Sequence, residues 1–332
     1  MSKLKGLFLS DETALHEVYS EAHQQAIAGL LDIVAEPQTA ASIQETPELL
    51  NDVDVIMSSW GVPTMDEQFL AHAAKLKAVF HGAGTIRRIV SDTFWQRGIV
   101  ITSAYQFNAI AVAEYTLATI LLSLKRVWHY SQRVKEMRSF PAKKPLPGTY
   151  GSKVGIVSLG SIGRKVVQHL QHHQVNVLVY DPFLSEEDAR QLAVTKVSLE
   201  HLFATSDVVS LHTPALEETH NMITGKHVAS MKEGATLINT ARGWVVDEPA
   251  LIHVLQQRSD LYAVLDVTDP EPPEEASPLY DLPNVILTPH IAGNIAKERE
   301  RHGQAMLEEL QRYLAGESLQ HGITQEQAQI MA

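Results

Sequence analysis

The segment Val154-Gly155-Ile156-Val157-Ser158-Leu159-Gly160-Ser161-Ile162-Gly163 is an apolar run that passes through small residues into a stretch with helical spacing. A strand, a tight turn and a helix in this order bring backbone amides and the positive end of a helix to one place, where a pyrophosphate can bind. Gly160 would allow a close approach of the backbone, and Gly163 would allow the helix to pack on the strand. The segment therefore predicts a dinucleotide-binding turn.

The glycine fingerprint is imperfect, because Ser158 stands where the first glycine of G-x-G-x-x-G is expected. Taken alone, the turn is equally compatible with a structural βα connection that binds nothing. Asp181 changes this balance, since it follows the next apolar run at about the 20-residue distance at which a carboxylate accepts both ribose hydroxyls. The same carboxylate would repel a 2′-phosphate, and no basic residue follows directly in Asp181-Pro182-Phe183. The pattern favours NAD over NADP.

Short apolar runs alternate with helix-compatible segments on both sides of this turn. After it, strands are expected at 175–180, 208–212, 235–239, 262–266 and 285–287, with helices at 163–171, 248–257 and 296–314. Before it, strands are expected at 6–9, 53–57, 76–80 and 99–102, with helices at 13–31 and 109–126, and an extended, proline-containing arm at 131–150. This alternation predicts an α/β protein with two doubly wound domains.

Composition excludes several classes of protein. The 332 residues are 45% hydrophobic and 20% charged, which is typical of globular chains of more than one domain. A net charge of -12, with basic residues clustered only in short pairs such as Arg87-Arg88, argues against nucleic acid as a partner. No cysteine is present and no apolar signal segment opens the chain, so a cytoplasmic location is expected. We also expect no metal site. The apolar stretch 109–124 contains Glu114 and is shorter than a bilayer span of roughly 20 residues, so we expect a buried helix and no membrane partner.

Three later segments place polar residues at the ends of predicted strands, where a doubly wound sheet presents its ligands. They are Ile238 to Gly243 with Arg242, Leu265 to Pro272 with Glu271, and Leu287 to Gly293 with His290. Each alone has an ordinary explanation: an arginine in an ion pair, a carboxylate in an acidic proline-rich loop, and one histidine among 16. The three together, in this order, favour a catalytic set.

The same segments resemble the D-isomer-specific 2-hydroxyacid dehydrogenases, the family that includes D-lactate, phosphoglycerate and glyoxylate/hydroxypyruvate dehydrogenases. The likeness runs from about Leu76 to Gly293. It is carried by Asn108-Ala109, Val112-Ala113-Glu114, the glycine turn, Leu211-His212-Thr213-Pro214, Asn239-Thr240-Ala241-Arg242-Gly243, Val246-Asp247-Glu248 and Thr288-Pro289-His290-Ile291-Ala292-Gly293. The resemblance implies an enzyme that interconverts a 2-keto acid and a D-2-hydroxy acid with NAD.

The resemblance also assigns roles to the three polar residues. The family's catalytic arginine falls on Arg242, its carboxylate on Glu271 and its acid/base histidine on His290. An arginine can bind the substrate carboxylate or keto oxygen with its planar fork of donors. An imidazole can give a proton to the carbonyl oxygen and take it back in the reverse reaction, and a hydrogen-bonded carboxylate would orient that ring.

For the cofactor, the resemblance implies a larger group of binding residues. Asp266 and the Thr240 backbone are expected at the nicotinamide amide, and Val112 against its ring, although Val112 and Pro214 also suit a core and a turn position. The full expected set is Ser158, Gly160, Ser161, Ile162, Gly163, Asp181, His212, Thr213, Pro214, Thr240, Ala241, Asp266, His290 and Val112. The family pattern divides the chain into a flavodoxin-like substrate domain, 1–103 plus 294–332, and a Rossmann NAD-binding domain, 104–293. It also implies a homodimer formed through the long helix and the arm after it.

The expected substrate pocket departs from the family at several positions. The loop His81-Gly82-Ala83-Gly84-Thr85-Ile86 would supply backbone amides to the substrate carboxylate, with Ala83 and Gly84 as its contacts, but the aspartate common just beyond is replaced by Thr85-Ile86-Arg87-Arg88. Trp60 and Gly61 would form a second wall, and Trp60 is equally suited to packing at a domain interface. Trp244 follows Arg242-Gly243, where the family often has a small or charged residue.

Two functions without turnover also fit the sequence. One is an NAD(H)-sensing protein of the corepressor kind, since some corepressors share this fold and this catalytic set. The other is a scaffold that binds NADH without reaction. Both predict cofactor binding in the absence of substrate reduction, so a turnover assay distinguishes them from an enzyme.

Overall fold

The structure, a computed structural model, describes residues 3–143 and 146–331, which form two compact units. One unit comprises the chain up to Asn108 together with Asn294–Met331, and the other comprises Ala109–Gly293. The first segment therefore continues to Asn108, beyond the position 103 that the sequence suggests.

The first unit is built on a five-stranded parallel sheet in the order β2-β1-β3-β4-β5, the flavodoxin-like arrangement. Its elements are β1 Lys5–Leu9, α1 Glu12–Val18, α2 Glu21–Leu30, β2 Asp32–Ile33, α3 Ala40–Glu45, β3 Val55–Ser58, α4 Glu67–His72, β4 Ala78–His81, α5 Asp92–Gln96 and β5 Val100–Ser103, followed by the start of α6 Tyr105–Leu124. The two helices α13 Glu300–Ala315 and α14 Gln325–Ile330 complete it.

The second unit is built on a seven-stranded parallel sheet in the order β12-β11-β10-β9-β6-β7-β8. Its elements after α6 are α7 Val127–Met137, β6 Lys153–Val157, α8 Ser161–Leu170, β7 Asn176–Tyr180, α9 Glu186–Gln191, β8 Thr195–Lys196, α10 Leu199–Thr205, β9 Val208–Leu211, α11 Gly225–Ala229, β10 Thr236–Asn239, α12 Glu248–Gln257, β11 Tyr262–Leu265 and β12 Val285–Leu287. Strand order reverses between β6 and β9, which defines the Rossmann arrangement and its ligand-binding switch point. The prediction of two doubly wound α/β domains is confirmed.

Both sheets are covered on each face by apolar side chains. Every residue of β3, β4, β9, β10 and β11 is buried. Burial on both faces explains why these strands read as continuous apolar runs rather than as alternating patterns.

Two predicted segments differ from the structure. The expected helix 13–31 is two helices, because the buried Tyr19 hydroxyl donates to the Ser58 carbonyl at 3.0 Å while Ser20 caps α2 by accepting from His23 N. The expected extended arm 131–150 is wrong over its first part, since Val127–Met137 is helical. The prolines that suggested an arm begin only at Pro141, and one of them, Pro145, lies outside the described residues.

Helix α6 is longer than its apolar core suggested. It has 20 residues, so the expectation that it is too short to span a bilayer is wrong. Across the described ranges it is the single helix long and apolar enough to cross a membrane, by length and composition alone, and 50% of its most apolar window is buried inside the structure. Buried core helices of soluble proteins pass the same test.

Candidate active site

The carboxyl ends of six strands of the second unit lie side by side at one edge of the sheet. Val157 pairs with Tyr180 and Leu211, Leu211 with Asn239, Asn239 with Leu265, and Leu265 with Leu287. The glycine turn, Asp181, His212, Arg242, Asp266 and His290 follow directly after these strand ends. The register therefore brings the motifs recognised in the sequence to one edge, which is where such sheets bind ligands.

His290 and Glu271 form a direct side-chain pair. His290 Nδ1 lies 2.6 Å from Glu271 Oε1, and the two side chains are 49% and 42% exposed. A carboxylate only accepts, so the imidazole donates from Nδ1 and its Nε2 is left for other partners. His290 has a backbone φ of 54°, in the left-handed region that a non-glycine residue rarely adopts.

The loop that carries His290 is wrapped around the buried carboxylate of Asp266. Oδ1 of Asp266 accepts from the Thr288 hydroxyl at 2.6 Å and from Ile291 N at 2.8 Å, and Oδ2 accepts from Ala292 N at 2.9 Å. His290 N also donates to the Asp266 carbonyl at 3.0 Å. Four bonds to one residue therefore hold the backbone of this loop.

A tyrosine from α6 completes the support of this loop. The hydroxyls of Tyr115 and Thr288 lie 3.0 Å apart. Because the Thr288 proton is used for Asp266, Tyr115 donates to Thr288. Burial raises the pKa of Tyr115, which keeps it a donor. Sequence reasoning missed Tyr115, since nothing near it in the chain indicates a partner 173 positions away.

Arg242 sits in a turn whose backbone is held by Asn239. The Asn239 amide nitrogen donates to the Arg242 carbonyl at 2.9 Å, and its oxygen accepts from Ala241 N at 3.0 Å. Arg242 Nη1 donates to the Ala241 carbonyl at 2.6 Å. Arg242 follows β10 and His290 follows β12, and these two strands lie on either side of β11.

A cavity of about 410 Å³ adjoins the His290 and Glu271 pair. Three prolines and Leu287 form its apolar wall, and Tyr280 and Thr268 are further polar groups that the sequence did not indicate. The lining residues are Asp266, Thr268, Glu271, Pro272, Pro273, Tyr280, Leu287, Thr288, Pro289 and His290.

The glycine turn has the geometry of a phosphate-binding loop. Ser158 has a φ of 72°, which explains why glycine is usual at this position, and its hydroxyl lies 2.8 Å from that of Thr213. A Cβ on Gly163 would lie 2.3 Å from the Ser158 carbonyl oxygen, whereas a Cβ on Gly160 would meet nothing within 4 Å. Gly160 begins α8 without a side-chain cap, so the first amides of that helix are left for an anion.

Two further polar groups lie next to this turn. Asp181 accepts from Leu159 N and Phe183 N, each at 2.7 Å and one on each oxygen, so each oxygen keeps capacity for a second donor. His212 is buried, and burial lowers its pKa to about 3. Its Nε2 lies 3.1 Å from the Ser210 hydroxyl, while its Nδ1 is buried without a partner among the described residues.

These residues fit a dinucleotide. Phosphates suit the uncapped start of α8 and the open face of Gly160. Ribose hydroxyls suit the spare acceptor capacity of Asp181, and the buried Nδ1 of His212 is a further polar atom for a ligand. The remaining expected cofactor residues lie in the same unit. Val112, Thr213, Thr240 and Ala241 are buried, and Pro214 is partly buried.

The expected substrate residues Trp60, Gly61, Ala83 and Gly84 lie in the first unit, after β3 and β4. The Ser103 hydroxyl lies 3.1 Å from the Ala83 carbonyl and 2.5 Å from the Gly84 carbonyl, so both peptide planes are fixed. A Cβ on Gly84 would meet nothing within 4 Å, whereas Gly61 has a φ of 80° and is packed against Asp11.

Two buried histidines, His302 and His81, lie beside this loop, and the ring centre of His302 is 5.7 Å from that of Trp60. His302 Nδ1 donates to the Gly82 carbonyl at 3.1 Å, and its Nε2 lies 2.7 Å from the Asn294 side-chain nitrogen. Burial lowers the pKa of His302 to about 4 and that of His81 to about 3. Trp60 is 38% exposed, with the Arg299 guanidinium 5.0 Å from its ring centre.

Comparison with known proteins places these features in a family. Residues 117–292 match the model of the D-isomer specific 2-hydroxyacid dehydrogenase, NAD binding domain. The D-3-phosphoglycerate dehydrogenases of Archaeoglobus fulgidus and Methanocaldococcus jannaschii are 33% and 30% identical, over 74% and 89% of this chain and 47% and 56% of those proteins. The chain thus spans about half the length of these relatives.

A solved structure gives the same relationship for the fold. The D-lactate dehydrogenase of Aquifex aeolicus, complexed with NAD and lactic acid, is 28% identical with a TM-score of 0.72, over 94% of this chain and 96% of that chain. The matched model covers more than half of the residues, including the glycine turn, Arg242, Glu271 and His290. On this evidence the chain belongs to the D-isomer-specific 2-hydroxyacid dehydrogenase family.

Proposed function

We propose that this protein is an NAD-dependent oxidoreductase that interconverts a 2-keto acid and a D-2-hydroxy acid. The observation that carries the proposal is the 2.6 Å bond between His290 and Glu271 at the carboxyl edge of a Rossmann sheet. An imidazole oriented by a carboxylate is an acid/base device, and this edge is where a dinucleotide binds.

His290 acts as the acid/base group in this proposal. In reduction, the imidazolium keeps its Nδ1 proton, which is hydrogen-bonded to Glu271. It gives its Nε2 proton to the keto oxygen while the carbonyl carbon receives a hydride. The products are a CH–OH group and a neutral imidazole, and oxidation reverses each transfer. Glu271 fixes the ring orientation and stabilises the charged form.

Arg242 binds the substrate. Its guanidinium carries donors in a planar fork, which suits a carboxylate or the keto oxygen beside it. The Asn239 amide fixes the turn on both sides of Ala241, so the arginine starts from a rigid backbone. The residues of the first unit, Trp60, Gly61, Ala83 and Gly84, are proposed as further substrate contacts.

The second unit would hold the cofactor. Bound NADH would supply the hydride. The amides at the start of α8 would bind its pyrophosphate, and the spare acceptor capacity of Asp181 suits ribose hydroxyls while opposing a 2′-phosphate. NAD is therefore proposed over NADP, and Asp181→Ala is expected to lose affinity for NADH while losing little for NADPH.

A cytoplasmic homodimer is proposed as the working form. The exposed apolar side chains of Leu122, Met137, Phe140 and Tyr150 lie on and just after α6 and α7, the segment that resembles the family's dimerisation elements. Light scattering coupled to size exclusion tests this, since a mass of one chain, 36.7 kDa, would contradict it.

The test of the function is NADH oxidation with a panel of 2-keto acids: glyoxylate, hydroxypyruvate, pyruvate, phenylpyruvate, 2-ketoisocaproate and 3-phosphohydroxypyruvate. We expect turnover with at least one of them and a product of the D configuration by chiral chromatography. Tight NADH binding without turnover on any member would overturn the proposal and indicate a sensor or scaffold.

A further inference from the structure

Trp244 lies in the turn directly after Arg242 and Gly243 and packs on a neighbouring loop. Its indole ring stacks on the imidazole of His220, with ring centres 3.9 Å apart and planes inclined at 32°. Its Nε1 donates to the Leu216 carbonyl at 2.8 Å. The side chain is nevertheless 39% exposed, so it covers the turn from the solvent side rather than filling a core.

Backbone hydrogen bonds join the same two segments. Asn221 N donates to the Trp244 carbonyl at 3.0 Å, and Ile223 N donates to the Val245 carbonyl at 2.9 Å. Ile223 also forms an isolated parallel bridge with Val246. Residues 216–223 therefore lie along the turn 243–246, and the Trp244 side chain adds one hydrogen bond and one ring contact to this pairing.

The opposite side of the turn is pressed against the loop that leads to Glu271. A Cβ on Gly243 would lie 2.0 Å from the carbonyl carbon of Thr268 and 2.5 Å from the nitrogen of Asp269. Arg242 thus begins a turn held by backbone packing on one side and by Trp244 on the other. Loosening either side would shift the arginine relative to the His290 and Glu271 pair.

We propose that Trp244 is a positioning residue for Arg242, acting with His220 and the Leu216 carbonyl as a clamp on the turn. This inference rests on the proposed function, because it concerns how Arg242 meets the substrate. A misplacement of about 1 Å at a binding group can cost on the order of 10²-fold in rate, so a clamp of this kind has a measurable effect.

Three single variants, and the double variant of Trp244→Ala with His220→Ala, separate the contacts of the Trp244 clamp. Trp244→Ala removes the ring and its hydrogen bond, Trp244→Phe keeps a ring without the donor, and His220→Ala removes the stacking partner. Trp128→Phe is the matched control, because it also removes an indole hydrogen bond, to the Ser123 hydroxyl at 3.4 Å, but lies in α7 and outside the segments 216–223 and 242–246.

The kinetic result expected is a rise of about tenfold in KM for the 2-keto acid in Trp244→Ala, with NADH affinity within about twofold of the parent. Trp244→Phe recovers part of this loss, and His220→Ala adds little in the Trp244→Ala background, since paired residues are not additive. Trp128→Phe leaves all constants unchanged. Values of kcat/KM within about twofold of the parent in both Trp244 variants would overturn the proposal.

Hydrogen exchange tests the clamp without relying on turnover. Trp244→Ala should raise amide exchange at 216–223 and 242–246 together, and leave α8 unchanged. Equal exchange in parent and variant would overturn the clamp even if KM rises. If the parent turns over no 2-keto acid, the proposed function fails instead. Faster exchange in Trp244→Ala would then show that Trp244 holds the turn without serving substrate binding. That outcome also overturns the proposal that Trp244 positions Arg242 for the substrate.

Discussion

His290 Nδ1 lies 2.6 Å from Glu271 Oε1, although the two residues follow different strands and stand 19 positions apart. Glu271 lies in the loop after β11, and His290 lies in the loop after β12. The neighbouring strand ends, paired at Leu265 and Leu287, bring both loops to one place. The pair is therefore a product of sheet register, and its chemistry depends on how firmly each loop is held.

Glu271→Gln should lower kcat without removing cofactor binding. The amide can no longer stabilise a charged imidazole, so the reductive rate is expected to fall by about 10²-fold. Steady-state NADH oxidation with a saturating 2-keto acid measures this. Glu275→Gln, an exposed carboxylate in the same loop, is the control and should match the parent. Equal rates in Glu271→Gln and Glu275→Gln would remove Glu271 from the mechanism.

Two glycines of the turn should separate folding from cofactor binding. In Gly163→Ala the new methyl group would lie 2.3 Å from a backbone oxygen, so we expect a clear loss of thermal stability. In Gly160→Ala the methyl group meets no heavy atom of the described residues within 4 Å and φ is already -73°, so the melting temperature of the cofactor-free protein should be unchanged. NADH affinity should still fall at least tenfold, because the methyl group would occupy the space proposed for the pyrophosphate. Unchanged NADH binding in Gly160→Ala would contradict the placement of the cofactor.

Asp266→Asn should weaken the loop that carries His290. The amide nitrogen replaces one acceptor oxygen and faces either the Ala292 amide or the Thr288 and Ile291 donors. A buried donor left against a donor costs on the order of 2 kcal/mol of unfolding free energy, measured by urea denaturation. Asp269→Asn, an exposed neighbour, should cost nothing measurable. A parental stability in Asp266→Asn would show that these bonds do not hold the loop.

Acidification should destabilise the first unit through its buried neutral histidines. The pKa of His302 falls from 6.5 to about 4 on folding, because of burial. Between these values the unfolded chain binds a proton that the folded chain does not, so the unfolding free energy falls as pH is lowered through this window. At pH 4 this effect of His302 lowers the unfolding free energy by on the order of 3 kcal/mol relative to neutral pH.

His302→Gln should therefore reduce the loss of stability between about pH 6.5 and 4 without abolishing it, because His81, whose pKa burial lowers to about 3, still contributes there. Urea midpoints at pH 7.5, 6, 5 and 4.5 give the profile. His172→Gln, at an exposed position after α8, should keep the slope of the parent. A parental slope in His302→Gln would mean that other groups dominate the acid response.

The sequence was sufficient where structure follows from burial or from motif order. Apolar runs predicted every strand of four or more residues, and Val285–Leu287 and Glu248–Gln257 have the predicted bounds. Glu271 and His290 were recognised from the order of three strand-end motifs, and the structure joins them by a hydrogen bond. These features depend on local composition and on the topology of a parallel sheet.

The features that escaped prediction depend on tertiary contacts. The break between α1 and α2 needs the Tyr19 bond to the Ser58 carbonyl, 39 positions away. The support of Thr288 by Tyr115 and the stacking of Trp244 on His220 likewise join segments with no local signal. Ser158 is a further example, because its positive φ, which explains why glycine is usual at this position, is visible only in the structure.

The most direct test of the proposed mechanism is the turnover of His290→Gln beside the parent, with NADH affinity measured on the same samples by fluorescence. We expect a fall in the reductive rate of at least about 10²-fold, with the dissociation constant for NADH within about twofold of the parent. A parental rate in His290→Gln would contradict the assignment of His290 as the acid/base group, and with it the proposed mechanism.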